Sequence, residues 1–423
     1  MRKTAIKTIM QSQHPALRAG FVAMNAIAVG FLVFMAWPTL GDVIDFKYFW
    51  LSGTLWRDGV SPYGPELIEL GRAHFPGERI NPFFYPPSWR LPASALALMP
   101  LETAEDVWAF FSVGCVIAGA YLGAKIVKIL YRAAPFYRVF VLYLFAVANL
   151  SDASAYAILI GQTSQVLFLM FTILIYTSLR PNTALTLFAL TVLLLKPQFG
   201  IPLAFACFII PSMRTAVLGA GAVTALLAAY GLATGDPIKA MQDLLHNLSL
   251  YSSFPENWPV HMSGPNFALH FLGGAALSPS ILLCASLALI ALFGALLMRA
   301  RLLTDKTVQA YFVLFAGLTT LFLASTHNSN LVSASPVLLM MFAYKRYSLY
   351  LSALGIFLIM RAMTLSFSID GLLFAEKTVT VALLDTVGTF LLAFVTGGFI
   401  LERIRSEREA ADTPSLKPVT VKP

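Results

Sequence analysis

Asp45 stands at the head of a run, Asp45 to Asp58, in which Phe46, Phe49, Trp50 and Gly53 recur at helical spacing. A carboxylate placed there can take a proton from a hydroxyl within direct hydrogen-bond reach, or it can cap the helix that follows. Asp42, three residues earlier, offers the same group from a loop. Lys196 follows an apolar run, LTLFALTVLLL, and precedes Pro197 and Gln198. A lysine in such surroundings is costly unless an anion, for instance a phosphate, pairs with it or its head reaches the lipid headgroups. The proline explains how a helix can open at that point. Gln162 follows Gly161 at the start of another apolar run, and its amide is both donor and acceptor, as a sugar hydroxyl requires. The same pair also suits helix packing through a small residue.

Other polar or aromatic groups are more ambiguous. Tyr85, Pro86 and Pro87 predict a rigid extended corner. Tyr85 and Tyr63 can stack on a ligand or rest at a membrane interface. His261, Asn266 and His327 fall in polar stretches and read by default as solvated loop groups. Arg361 ends a short apolar run on the side expected to carry few cations, so it suits phosphate or headgroups equally. No two histidines have the spacing of a metal site, and no metal is assigned.

The elements that must hold these residues are membrane helices. Of 423 residues, 58% are hydrophobic and 12% charged, against roughly 25% charged in a soluble domain. The net charge of +8 comes from cations in short loops and tails, the pattern of a topology signal. It does not form a nucleic-acid surface. Cys115, Cys207 and Cys284 lie in apolar runs and read as small hydrophobes. The segment 18–38 reads as an uncleaved first span. The hydropathy pattern predicts an all-α polytopic protein with about twelve transmembrane or part-membrane helices in a single domain, 1–400. Residues 39–92 form a first external loop with an amphipathic interfacial helix, 235–270 form a second, and 401–423 a disordered cytoplasmic tail. The segment 88–100 is too short for an easy span and reads as re-entrant or as a short buried span. Residues 183–211 read as one broken helix or two short ones. Both termini are expected in the cytoplasm of a plasma (inner) membrane protein, with the polar loops on the periplasmic or extracellular side.

The polar stretches together resemble glycosyltransferase family 87, polyprenyl-phosphate-mannose-dependent mannosyltransferase-like proteins of the GT-C superfamily. The resemblance runs through Asp45, Phe46, Lys47 and Tyr48, then Gly53, then Gly59 to Tyr63, then Phe84 to Pro87. It continues through Gly161 to Ser164 and Leu195 to Gln198. The stretch Ser325 to Asn330, STHNSN, departs from the Pro-Tyr or Pro-His-Tyr pattern of such proteins.

The resemblance implies a GT-C-like fold and an inverting transfer of a hexose, mannose-like, from a polyprenyl-phosphate donor to a lipid or glycan acceptor on the outer face. Asp45 becomes the expected general base, with Asp42 as the alternative. Lys196, Gln162, Gln198, Arg361, His261 and His327 become candidates for the donor phosphate or sugar. Tyr63, Tyr85, Pro86, Pro87, Gly161, Pro197 and Asn266 become candidates for lining or shaping the site. No cofactor or nucleotide is implied. The expected partners are the donor, the acceptor and membrane lipids, with no soluble protein partner evident. Two other classes fit the same composition: a flippase or transporter of a lipid-linked saccharide, and a non-catalytic subunit of an envelope polysaccharide assembly.

Overall fold

The computed structural model describes residues 15–37, 45–324, 326–340, 346–368 and 377–412. Asp42, one of the two candidate bases, lies outside them. The described chain is helical throughout, with one isolated antiparallel bridge between Ser263 and Thr326. It begins with α1 (Pro15–Met35), α2 (Phe46–Arg57), α3 (Glu66–His74), α4 (Arg90–Leu96) and α5 (Leu101–Leu130). Next come α6 (Phe136–Asn149), α7 (Asp152–Leu159), α8 (Ser164–Leu179), α9 (Thr183–Leu194), α10 (Pro197–Ile209) and α11 (Arg214–Leu232). The second half holds α12 (Pro237–Leu250), α13 (Pro265–Phe271), α14 (Pro279–Arg299) and α15 (Lys306–Leu323). After a 3-10 segment, Asn328–Ala334, the chain closes with α16 (Val337–Met340), α17 (Arg346–Met360), α18 (Ala362–Ser368) and α19 (Lys377–Asp412).

The molecule is a polytopic helical membrane protein, but the expectation of about twelve spans is wrong. Among the described residues six helices are long and apolar enough to cross a bilayer. A seventh span exists only if α6 and α7, bent by 62° at their junction, count as one. The reason is length: several apolar helices are too short to cross, whether protein or lipid surrounds them. The short apolar helices at Ser164–Leu179, Thr183–Leu194, Pro197–Ile209 and Tyr347–Met360 were counted as spans for their composition. A crossing helix needs about 20 residues at 1.5 Å each. All but two of the 16 residues of α8 are buried, so its apolar side chains face protein. By contrast, in the spanning windows of α1 and of Pro211–Leu232 only 17% of residues are buried, leaving most side chains for lipid.

Three local expectations also change. The segment 88–100 forms a 3-10 turn, Pro87–Trp89, and the seven-residue α4, too short to cross. It packs against α2 and α11. The helix at 46–57 exists, but most of its residues pack inside the protein. Phe46, Lys47, Phe49, Leu51, Ser52, Gly53, Leu55 and Trp56 are all buried. Gly53 allows this, because a side chain there would overlap the Ala93 carbonyl of α4. Finally, α19 continues to Asp412, so residues 401–412 of the expected disordered tail are helical.

Candidate functional site

Asp45 is the residue before the first turn of α2, and its side chain makes no capping bond. The backbone explains why. Asp45 has helical angles, φ −88° and ψ −30°, and its own N–H donates to the Ile160 carbonyl at 2.9 Å. An N-cap normally has extended angles that turn its oxygen back on the helix. The carboxylate instead accepts a hydrogen bond from the Gln162 side-chain amide. It is also within electrostatic reach of Lys196, Lys47, Tyr48, Tyr85, Tyr156 and Tyr251.

Gln162 reaches Asp45 through a turn that needs glycine. Gly161 has φ +71°, in the left-handed region, between α7 and α8. The N–H of Gly161 donates to Ile158 and that of Gln162 to Ala157, which closes the end of α7. Trp108 of α5 donates its indole N–H to the Gly161 carbonyl at 3.0 Å and fixes the turn against α5.

Lys196 sits at the break between α9 and α10, with Pro197 opening α10. The sequence left one broken helix or two short ones; the structure has two, which pack against each other. The ammonium is buried and donates to Asn330 Oδ1 at 2.7 Å. The Ser164 hydroxyl donates to the same oxygen at 3.2 Å. Trp89, just after the Pro86–Pro87 corner, donates to the Leu195 carbonyl at 2.8 Å, so the first loop holds the backbone beside Lys196. Pro86 is extended (φ −66°, ψ 160°) and Pro87 starts the 3-10 turn, which makes the expected corner.

The two polar loops meet over this assembly. Phe84 packs on Tyr251 and Phe254, with ring centroids 5.2 and 5.8 Å away. The Arg79 guanidinium lies 4.7 Å from the Phe254 ring, and Asn81 donates to Glu256 at 3.4 Å. The second loop also reaches His327, whose Nε2 lies 3.0 Å from Asn257 Oδ1. That amide oxygen only accepts, so Nε2 carries the proton. The Ser263–Thr326 bridge holds the loop in register beside His327.

Burial shifts the titratable groups of the site that lie outside the spans, and it lowers Lys196 to about 8 against the opposing charge of Asp45. Burial pushes the Asp45 pKa above its usual 3.8. The Gln162 hydrogen bond, then the charges of Lys196 and Lys47, oppose that rise. Burial also pushes His327 down to about 4, with Lys196 adding to the effect, so its imidazole is neutral near pH 7. The site therefore offers a hydrogen-bonded carboxylate, a buried ammonium, a neutral imidazole and several amides. Among the described residues no group of three or more His, Cys, Asp or Glu is arranged to hold a metal ion.

The structure thus brings Asp45, Gln162, Gly161, Lys196, Pro197, Tyr85 and His327 together. His261 is near: its Nδ1 lies 2.7 Å from the Pro255 carbonyl, and it is within electrostatic reach of His327. Tyr63 is buried behind the site, donating to the Tyr85 carbonyl at 2.9 Å, and it packs on Trp56 and Phe83, so it supports the corner and presents no ring to a ligand.

Three candidates lie apart or face away. Gln198 is exposed beyond Lys196. Asn266 clasps its own loop, bonding both the N–H and the carbonyl of Leu277. Arg361 pairs with Asp152 at 3.4 Å, which answers its charge inside the protein. Sequence reasoning missed Asn330, Asn257, Tyr156 and Tyr251 as site residues. Asn330 lies in the STHNSN stretch, whose departure from the family pattern was the available signal. Lys47, in the first motif, pairs with Glu78.

No protein-family model and no curated protein matches this chain.

Proposed function

We propose that the chain is a membrane glycosyltransferase that moves a hexose, mannose-like, from a polyprenyl-phosphate donor to a lipid or glycan hydroxyl. The observation that carries the reading is the convergence on one half-buried carboxylate of residues from remote segments. Asp45 is uncapped, hydrogen-bonded by Gln162 and electrostatically coupled to Lys196, which Asn330 holds. The resemblance to glycosyltransferase family 87 rests on these same segments.

In this reading the acceptor oxygen attacks the anomeric carbon while Asp45 takes its proton. The bond to the phosphate oxygen breaks, polyprenyl phosphate leaves, and the configuration inverts. Raising the Asp45 pKa above its usual 3.8 strengthens it as a base. Lys196 faces the departing phosphate, where charge builds up. Gln162 and Asn330 orient sugar hydroxyls. The two polar loops close over the site, so donor entry requires the contacts of Arg79 and Asn81 with the second loop to part. The basic loops gather at the opposite end of the helices, which supports an external site and cytoplasmic termini.

The test is transfer by purified protein from synthetic polyprenyl-phosphate mannose to total membrane lipids and glycans. Transfer with inversion is the expected result. Folded protein that transfers no sugar from any lipid-phosphate donor overturns the reading and moves it to a flippase or an accessory subunit.

A further inference from the structure

The far end of the molecule holds a second site. Helix α5 passes Trp108 at the Asp45 end and reaches Lys125 about 25 Å further along its axis. There it meets the end of α8, which starts beside Asn330 and finishes at Leu179. Between these helix ends lies a cavity of about 420 Å³ lined by Lys125, Lys128, Ile129, Arg132, Tyr176 and Arg180. Four of its six lining residues are cations and none is acidic. Among the described residues none of the four is in an ion pair. Lysines and arginines also gather near helix ends as a topology signal and as partners of the helix dipole. Neither effect requires cations from two remote segments to converge on one concavity of ligand size.

We propose that this cavity binds an anionic phospholipid of the facing leaflet, its headgroup phosphate held by the four cations and its acyl chains lying along the bundle. Arg132 and Arg180 can each take two phosphate oxygens, and Lys125 and Lys128 supply point charges. Ile129 and Tyr176 give the cavity an apolar wall for the glycerol end of the lipid. Exposed Tyr121 lies beside it, its ring centroid 4.5 Å from the Lys125 ammonium, as an aromatic at headgroup depth does. The occupant is a lipid because α5 is long and apolar enough to cross the bilayer beside the cavity, and Ile129, Tyr176 and exposed Tyr121 add apolar and interfacial surface to its cations.

Native mass spectrometry of the full-length protein, released from bilayers of mixed phosphatidylglycerol and phosphatidylcholine, tests this. Wild type retains phosphatidylglycerol in preference to phosphatidylcholine. Lys128→Gln combined with Arg132→Gln lowers that retention about tenfold or more. Arg299→Gln combined with Arg301→Gln removes the same charge from another loop and leaves retention unchanged. If the first double variant does not fold, Lys128→Gln and Arg132→Gln are measured singly, each lowering retention. Equal loss in both double variants reduces the effect to bulk charge and overturns the proposal. So does equal retention of both lipids, or inorganic phosphate that displaces the lipid and remains bound in its place. Sugar transfer plays no part in the readout, so this result stands apart from the test of the proposed function.

Discussion

The two ends of the bundle handle charge in opposite ways. At the Asp45 end, the ionisable groups gathered around the carboxylate are each held by a partner from a distant segment: Gln162 on Asp45, Asn330 on Lys196, Glu78 on Lys47, Asn257 on His327. At the other end, Lys128, Arg132 and Arg180 are exposed, and with Lys125 they line an open cavity with no acid among them. Cations left in water or among headgroups cost little and need no architecture. Buried charge persists only where the fold supplies partners. The difference therefore marks the Asp45 end as the preorganised one, with groups fixed before a substrate arrives.

The sharpest way to break that contrast is to remove the buried cation. Lys196→Ala should weaken donor binding by about 10- to 100-fold, the size of a lost hydrogen bond between charged groups. Lys196→Arg should recover part of it, because charge survives while shape changes. Titration with a polyprenyl-phosphate analogue measures both. Unchanged affinity for Lys196→Ala would leave the lysine a purely structural tie to Asn330.

A smaller effect sharpens the electrostatics. In the proposed mechanism the base works only as a carboxylate, so transfer should fall as pH drops through the Asp45 pKa, which lies above the ordinary 3.8. Gln162 opposes that rise, so Gln162→Ala should lift the pKa further and move the acid limb of the pH–rate profile to higher pH. An acid limb that stays in place would mean that another group titrates there.

The smallest effect is expected at Arg361. Its partner Asp152 lies 3.4 Å away, and the arginine side chain is 30% exposed, so solvent screens the pair. Arg361→Gln should cost about 0–1 kcal/mol of stability and leave donor affinity unchanged. A marked loss of donor affinity in the same titration would return Arg361 to the site.

These residues also show what the sequence made legible. Asp45, Gln162 and Lys196 stand out because polar groups interrupt apolar flanks, and the structure gathers them with His327, which reads by default as a solvated loop histidine. Their partners do not stand out. Asn330 and Asn257 look like ordinary loop amides until tertiary packing sets them on Lys196 and His327. Arg361 looked like an unpaired cation because Asp152 lies on a distant helix. The helix count failed for a related reason. Hydropathy cannot separate α8, apolar because protein surrounds it, from α1, apolar because lipid does. The same ambiguity hid how far α2 is buried, because Gly53 reads as one more member of an apolar stripe until α4 packs on it.

The most direct test of the account is the Asp45→Asn variant, with turnover and donor affinity measured on the same preparation. Asparagine keeps the size and the contact with Gln162 but cannot accept the acceptor's proton. Turnover should fall by about 10²- to 10⁴-fold while affinity for the polyprenyl-phosphate analogue stays at the wild-type value. Full turnover in Asp45→Asn would contradict the claim that this carboxylate is the base.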